Sequence, residues 1–246
     1  MTTNIHGLDR NIPEPIRRQV RQECGFGCVI CGLAIAQYEH IDPTFADAEV
    51  HDPKKIALLC ANCHDRITRG IWSKDFVLRA RKNPKTFQQG YARDVFQYEN
   101  PFDLVVGDSH FDNIRCIVRT SSGEEWFTIE PSETQEGPPR LSAKFFGPKG
   151  MLELEIIRNE WSCPTNLWDL KTEGQVLEVR RAPGEIALRL KARPPHGLEI
   201  QRLKMLFNGT GIEVKNDGTM RLVVNGAEIE MNTSDVSNAD AVFIVP

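Results

Sequence analysis

Four cysteines fall in two CxxC pairs, Cys28-Val-Ile-Cys31 and Cys60-Ala-Asn-Cys63, with 28 residues between the pairs. Thiolates in that pattern close a tetrahedral site for Zn2+ and leave no position for water or substrate. These four residues are therefore expected to hold a structural zinc and to take no part in catalysis. Between the pairs stands the dipeptide Glu39-His40, and His64 follows the last cysteine directly. A carboxylate and an imidazole brought together by a fold can hold a second divalent ion with open positions, and such an ion can contact a phosphate. On a strand, His40 points away from Glu39. An imidazole so placed is free to take a proton from water near neutral pH.

The order CxxC, Glu-His, then Leu58-Leu59-Cys60-Ala61-Asn62-Cys63-His64 resembles the HNH (ββα-metal) endonucleases in their zinc-ribbon-stabilised form. The resemblance covers roughly residues 12–83. His64 lies 24 residues after His40 and directly after the second CxxC, as the family register requires. It implies that His40 is the general base, and that Glu39 and His64 ligate Mg2+ or a similar catalytic ion. The reaction implied is metal-dependent hydrolysis of DNA phosphodiester bonds, with restriction or anti-phage defence as the role suggested by analogy. One position departs from the pattern. The usual Asn falls 15 residues after His40, where this chain has Lys55. Asn both donates and accepts hydrogen bonds, whereas Lys only donates. Lys55 is then a phosphate contact or a mark of lost activity. His51 and Asp52, in the same loop, either help position water or metal or belong to a solvated loop.

These residues need elements to place them. Ile16, Val20 and Cys24 recur at four-residue spacing and predict an amphipathic helix over 12–25, with Arg17, Arg18 and Arg21 on its other face. Residues 33–41 read as a strand ending at His40-Ile41, and 42–55 as a polar loop. Residues 56–59 read as a short apolar strand, with a helix from Asn62 to Gly70. Ser73 is an expected N-cap for a helix over Lys74–Arg81. Arg18, Arg66 and Arg69, with Lys55, are the expected substrate contacts, supported by Lys74, Arg79, Arg81 and Lys82. Trp72 is read as core.

The bulk figures agree with a nucleic-acid partner for one part of the chain only. Residues 1–98 hold 14 Lys/Arg against 11 Asp/Glu, a balance of +3, while residues 99–246 hold 16 against 23, or −7. Phosphate backbones are attracted to the first part and repelled by the second. The start Met1-Thr2-Thr3-Asn4-Ile5-His6 lacks the features of a secretory signal. With no long apolar run, a cytoplasmic location and no membrane partner are expected. Cys24, Cys116 and Cys163 are read as small buried hydrophobes, with Cys24 near enough to Cys28 to be a substitute ligand.

Beyond residue 100 the hydrophobic period becomes two, and Asn208-Gly209, Asp217-Gly218 and Asn225-Gly226 give hairpin turns. The fold class expected is α+β. A small N-terminal zinc-stapled ββα-metal lobe (1–84) and a linker (85–103) precede an all-β domain (104–246), a sandwich, barrel or β-solenoid-like stack. The all-β domain is given three open roles: sensing a ligand or partner, assembling a homo-oligomer, or reading a modified base. Its tryptophans, Trp126, Trp161 and Trp168, are read as core. A different class of function also fits the lobe, namely a non-catalytic zinc-ribbon module that binds nucleic acid or protein.

Overall fold

The computed structural model describes residues 3–134 and 137–246. Residues 1–2, and residues 135–136 within the polar stretch 131–139, lie outside the described residues. The fold is mixed α+β, mostly sheet with few helices. Among the described residues no helix is long and apolar enough to cross a membrane. The chain forms two compact units, Met1–Asp94 with Cys163–Thr172, and Val95–Ser162 with Glu173–Pro246.

In the first unit, α1 (Glu14–Glu23) follows Pro13 at its N-cap, with Glu14 in the positively polarised first turn. Val20 and Cys24 are completely buried, and α1 packs on β2 (Ile56–Leu59), whose four side chains are all buried. β1 (Gln37–His40) pairs antiparallel with β2, setting Glu39 opposite Ala57 and His40 opposite Ile56. Pro53–Lys55 form a 3-10 turn, and α2 (Ala61–Thr68) starts directly after Cys60. α3 (Lys74–Lys82) is capped as expected, Ser73 Oγ accepting from the Phe76 N–H at 3.2 Å. α4 (Lys85–Gln89) and β3 (Tyr91–Val95) occupy the stretch expected to be linker. Cys28, Ile41, Ile56, Leu59 and Val77 lie at the centre of the core, with Ile16, Ile67 and Trp72 packed at its margin. Each large aliphatic chain so buried contributes about 1.5–3 kcal/mol.

Two arginines depart from the amphipathic reading. Arg21, expected on the polar face of α1, is only 4% exposed. Its Nε and Nη2 donate to the two oxygens of Asp169 at 2.8 and 2.6 Å, its Nη1 to Tyr38 Oη at 2.7 Å, and its Nη2 also to Glu14 at 2.7 Å. Burial alone would lower the Arg21 pKa, but these acceptors outweigh it and the guanidinium is held charged. Gln22 adds a bond to the Trp168 carbonyl at 2.7 Å. These contacts explain why Cys163–Thr172, read from sequence as part of the β region, packs with the first unit. Arg81 is the second case. It donates to the carbonyls of Ile56, Glu23 and Pro53 and pairs with the Glu23 carboxylate. It therefore ties the end of α1 to the start of β2.

In the second unit, β4 (Asp103–Val106) and β5 (Ser109–Asp112) form a hairpin. β6 (Cys116–Thr120), β7 (Glu125–Glu130), β8 (Arg140–Phe146), β9 (Leu152–Ile157) and β10 (Glu160–Pro164) follow one another antiparallel. After β11 (Asp169–Glu173), which belongs to the first unit up to Thr172, the second unit continues as a long meander of β12 (Val176–Ala182), β13 (Glu185–Arg193), β14 (Gly197–Phe207), β15 (Thr210–Val214), β16 (Met220–Val224) and β17 (Ala227–Met231). β4 joins β14 in parallel. β18 (Asp235–Ser237) pairs with β5, and β19 (Ala241–Val245) with β6, also in parallel. Asn225 and Gly226, with φ of 50° and 82°, make the left-handed turn expected between β16 and β17. Trp126 and Trp161 are buried here as expected, whereas Trp168 is half-buried in the first unit.

Removing the carboxylate opposite Arg21 strands a buried cation. The Asp169→Ala variant is expected to lose about 3–5 kcal/mol of stability, read as a shift of the urea midpoint. A loss below about 1 kcal/mol would show that Arg21 finds another partner.

Candidate metal centre and hydrolytic site

The two CxxC turns meet because β2 runs into one of them and hydrogen-bonds the other. Val29 N–H donates to the Leu58 carbonyl at 3.0 Å. The first knuckle is closed by Gly32, whose φ of 83° suits glycine and whose N–H reaches the Cys28 carbonyl at 2.8 Å. The second opens α2, with His64 N–H on the Cys60 carbonyl at 2.9 Å. The sulfurs of Cys28, Cys31, Cys60 and Cys63 all lie within 4.8 Å of one another, with Cys31 and Cys60 Sγ 3.5 Å apart. A tetrahedral zinc with Zn–S bonds of about 2.3 Å sets its sulfurs about 3.8 Å apart, so the donor set fits that ion.

The thiols themselves favour a cation. Cys28 is lowered to about 5 by the Cys31 thiol, against its burial, with help from backbone groups of Cys60, Cys31 and Ile30. Cys31 is pushed up, chiefly by its hydrogen bond to Cys28. Cys63 is pushed up to about 12 by burial and by the Cys28 charge. Four thiolates together thus need a counter-ion. Cys24, raised to about 11 by burial, stands outside the four-sulfur cluster, as do Cys116 and Cys163.

Beside this cluster the structure brings Glu39 and His64 together. His64 Nε2 lies 3.0 Å from Glu39 Oε2, and the side chains remain 29% and 33% exposed. An octahedral ion with ligands at about 2.1 Å holds adjacent ligand atoms about 3.0 Å apart. The pair is thus spaced to share a small hard cation in place of the bridging proton. An ion held by these two side chains alone would keep its other positions open.

His40 is placed differently. Strand alternation turns it from Glu39 to the other face, where it is only 6% exposed. Its ring lies edge-on to Phe45, with centroids 5.5 Å apart, and its Nε2 is 3.0 Å from His51 Nδ1. His51 Nε2 is in turn 2.9 Å from the Asp9 carbonyl. The solvent-facing imidazole expected from sequence is therefore a ring shielded from bulk water, and the loop histidine is its partner. Burial, then the neighbouring His51 and Arg10, lower its pKa to about 4. Asp52 has a local role, its carboxylate capping the turn through Lys54 N–H at 2.9 Å.

The expected substrate contacts divide. The Lys55 side chain is exposed and has no partner among the described residues. Arg66 lies 4.8 Å over the Trp72 ring and bonds Asn62, while Arg69 pairs with Asp65 at 2.9 Å. Exposed pairs of this kind are worth about 0–1 kcal/mol and are readily exchanged for a phosphate. Arg18 is more committed, lying 4.6 Å over Trp168 and 3.6 Å from the buried Asp169 carboxylate. With Arg21 and Arg81 also used internally, the basic face is smaller than the count of charges suggested. The second unit holds a separate cavity of about 770 Å3, lined by Phe102, Phe111, Asn113, Arg115, Asn238 and Asp240. Arg115, a cation among its described lining residues, pairs with Glu125 and Asp240.

Comparison with protein-family models, curated proteins and solved structures finds no match to this chain.

Two outcomes follow. The purified chain should carry one tightly held zinc, measured by elemental analysis. Stripping it with a chelator, or substituting Cys60→Ser, should lower the melting temperature of the first unit, while Cys116→Ser keeps the metal. Retention of full stability without zinc would contradict a structural cluster. Second, the native pKa of His40 lies below its ordinary 6.5, so the unfolded chain binds its proton first. The stabilisation from keeping His40 neutral is complete above pH 6.5 and is lost as pH falls toward 4, up to roughly 3 kcal/mol. Denaturant titrations at several pH values should show a shallower loss in His40→Gln than in wild type.

Proposed function

We infer that the first unit is a metal-dependent endonuclease lobe of the HNH type that hydrolyses phosphodiester bonds in DNA. The observation that carries this reading is the Glu39–His64 pair, 3.0 Å apart and open to solvent beside four clustered cysteines. The succession β1, β2, α2 supports a ββα-metal lobe, with Glu39 on the first strand and His64 on the helix.

The roles of the residues follow from their chemistry. Glu39 and His64 would hold Mg2+ or a similar ion, which would supply positive charge to stabilise the phosphate and the leaving oxygen. His40 is kept neutral by burial, and so it is ready to accept a proton at any pH near 7. Its low basicity weakens the driving force for that transfer. In the step assigned to it, a water oxygen forms a bond to phosphorus, the proton from that water passes to His40, and the phosphorus–oxygen bond to the leaving group breaks. Lys55, Arg66 and Arg69 contact backbone phosphates, which positions the duplex without reading its sequence. One such site cuts one strand. Cutting both strands then takes two chains or two visits, which gives the second unit a reason to assemble oligomers. Restriction or defence against foreign DNA remains the biological setting proposed.

A second reading has its own support. The burial of His40 and the Lys at position 55 favour a zinc-ribbon module that binds nucleic acid or protein and no longer cuts. Nicking of supercoiled plasmid in Mg2+ or Mn2+ separates the two. On the nuclease reading wild type cuts, and Glu39→Gln, His64→Ala and His40→Ala each lose about 100-fold or more while retaining the zinc. If wild type binds DNA in a salt-sensitive way yet leaves the plasmid intact in every divalent ion, the binding module is the correct description.

A further inference from the structure

The chain from Asp9 to His51 to His40 has only one consistent arrangement of protons when both rings are neutral. A backbone carbonyl only accepts, so the Asp9 oxygen, 2.9 Å from His51 Nε2, requires a proton on that nitrogen. Neutral His51 then has a bare Nδ1. That atom lies 3.0 Å from His40 Nε2 and must accept from it. His40 in turn keeps its lone pair at Nδ1, for which no hydrogen-bond partner is found among the described residues. The rings are held by packing as well as by these bonds. Phe45 meets the His40 ring edge-on, and Arg10 lies 5.1 Å over Phe45. Asn4 fastens the same loop by donating to the Phe45 and Ala48 carbonyls at 2.6 Å each. His51 is itself buried to 9%, so it is not a loop residue turned to solvent.

The geometry points to His51 as the positioning residue of the hydrolytic site, fixing His40 in the Nε2–H tautomer so that Nδ1 is the basic atom. This rests on the nuclease reading for its catalytic meaning, but the tautomer stands on its own. His51 lies eleven positions after His40, and nothing local in the sequence marks the pair.

The test uses full-length, zinc-loaded protein labelled with 15N, read by long-range proton–nitrogen correlation of the histidine rings at pH 7.5. Wild type is expected to show His40 with a protonated Nε2 and a bare Nδ1. In His51→Phe, which keeps a ring but neither hydrogen bond, that preference should be lost. In His51→Gln, whose amide can donate to Asp9 and accept from His40, it should return. A wild-type His40 protonated at Nδ1, or an unchanged tautomer in His51→Phe, overturns the assignment even if no DNA is cut. Where plasmid is nicked, His51→Phe should lower kcat by about 10- to 100-fold with little change in KM, and His51→Gln should recover most of it. Equal activity in His51→Phe and wild type would also overturn the positioning role. A protein that cuts nothing but shows the expected tautomers would sink the nuclease reading alone.

Discussion

The convergence of four sulfurs is the constraint on which the rest of the first unit depends. Cys28 and Cys31 sit in a turn, Cys60 lies between β2 and α2, and Cys63 is in the first turn of α2, so one cluster ties three local structures together. Between those cysteine pairs the chain has two four-residue strands, a 3-10 turn and irregular segments. Such short strands hold poorly by hydrogen bonds alone, and a divalent ion bound by thiolates adds stability that a small core cannot supply. β1 lies antiparallel along one edge of β2, which runs into Cys60 and α2. Glu39 then faces the first turn of α2, where His64 is waiting. The four-cysteine cluster thereby sets where Glu39 and His64 meet.

The same lobe spends several charges on its own architecture. Arg21 and Arg81 replace apolar contacts with directed hydrogen bonds to carbonyls and carboxylates, joining segments far apart in sequence. Burying a guanidinium is tolerable only when nearly every donor is satisfied, and both arginines approach that condition. The consequence for function is that a basic sequence does not imply an equally basic surface. Among the exposed cations of this lobe are Lys54 and Lys55 in the 3-10 turn, Arg66 and Arg69 on α2, and Lys74, Arg79 and Lys82 on α3.

The sequence made the metal cluster legible because four cysteines at fixed spacing admit few other uses. The helix caps were equally plain, Ser73 in particular, as were the hairpin turns at Asn208-Gly209 and Asn225-Gly226, where a local residue type meets a local backbone need. The Glu39–His64 meeting was legible only through the register of the cysteines around it. Other features were hidden for physical reasons. Asp169 lies 148 residues from Arg21, and no local pattern announces so distant an ion pair. His40 is followed by a polar loop, which suggests exposure, but Phe45 and His51 in that loop fold back over it. β18 and β19 pair in parallel with β5 and β6 across long sequence separations, so no hairpin turn announces them. β3 was masked by the expectation of a linker.

The central claim is that Glu39 and His64 share an exchangeable divalent ion beside the zinc. Electron spin echo spectroscopy of Mn2+ added to the zinc-loaded protein addresses it directly, because a directly bonded imidazole nitrogen modulates the echo. The account predicts one Mn2+ per chain carrying the signature of a single imidazole, absent in His64→Ala and weakened in Glu39→Gln, with the zinc content unchanged. A Mn2+ signal without nitrogen coupling, or one indifferent to His64→Ala, would contradict it.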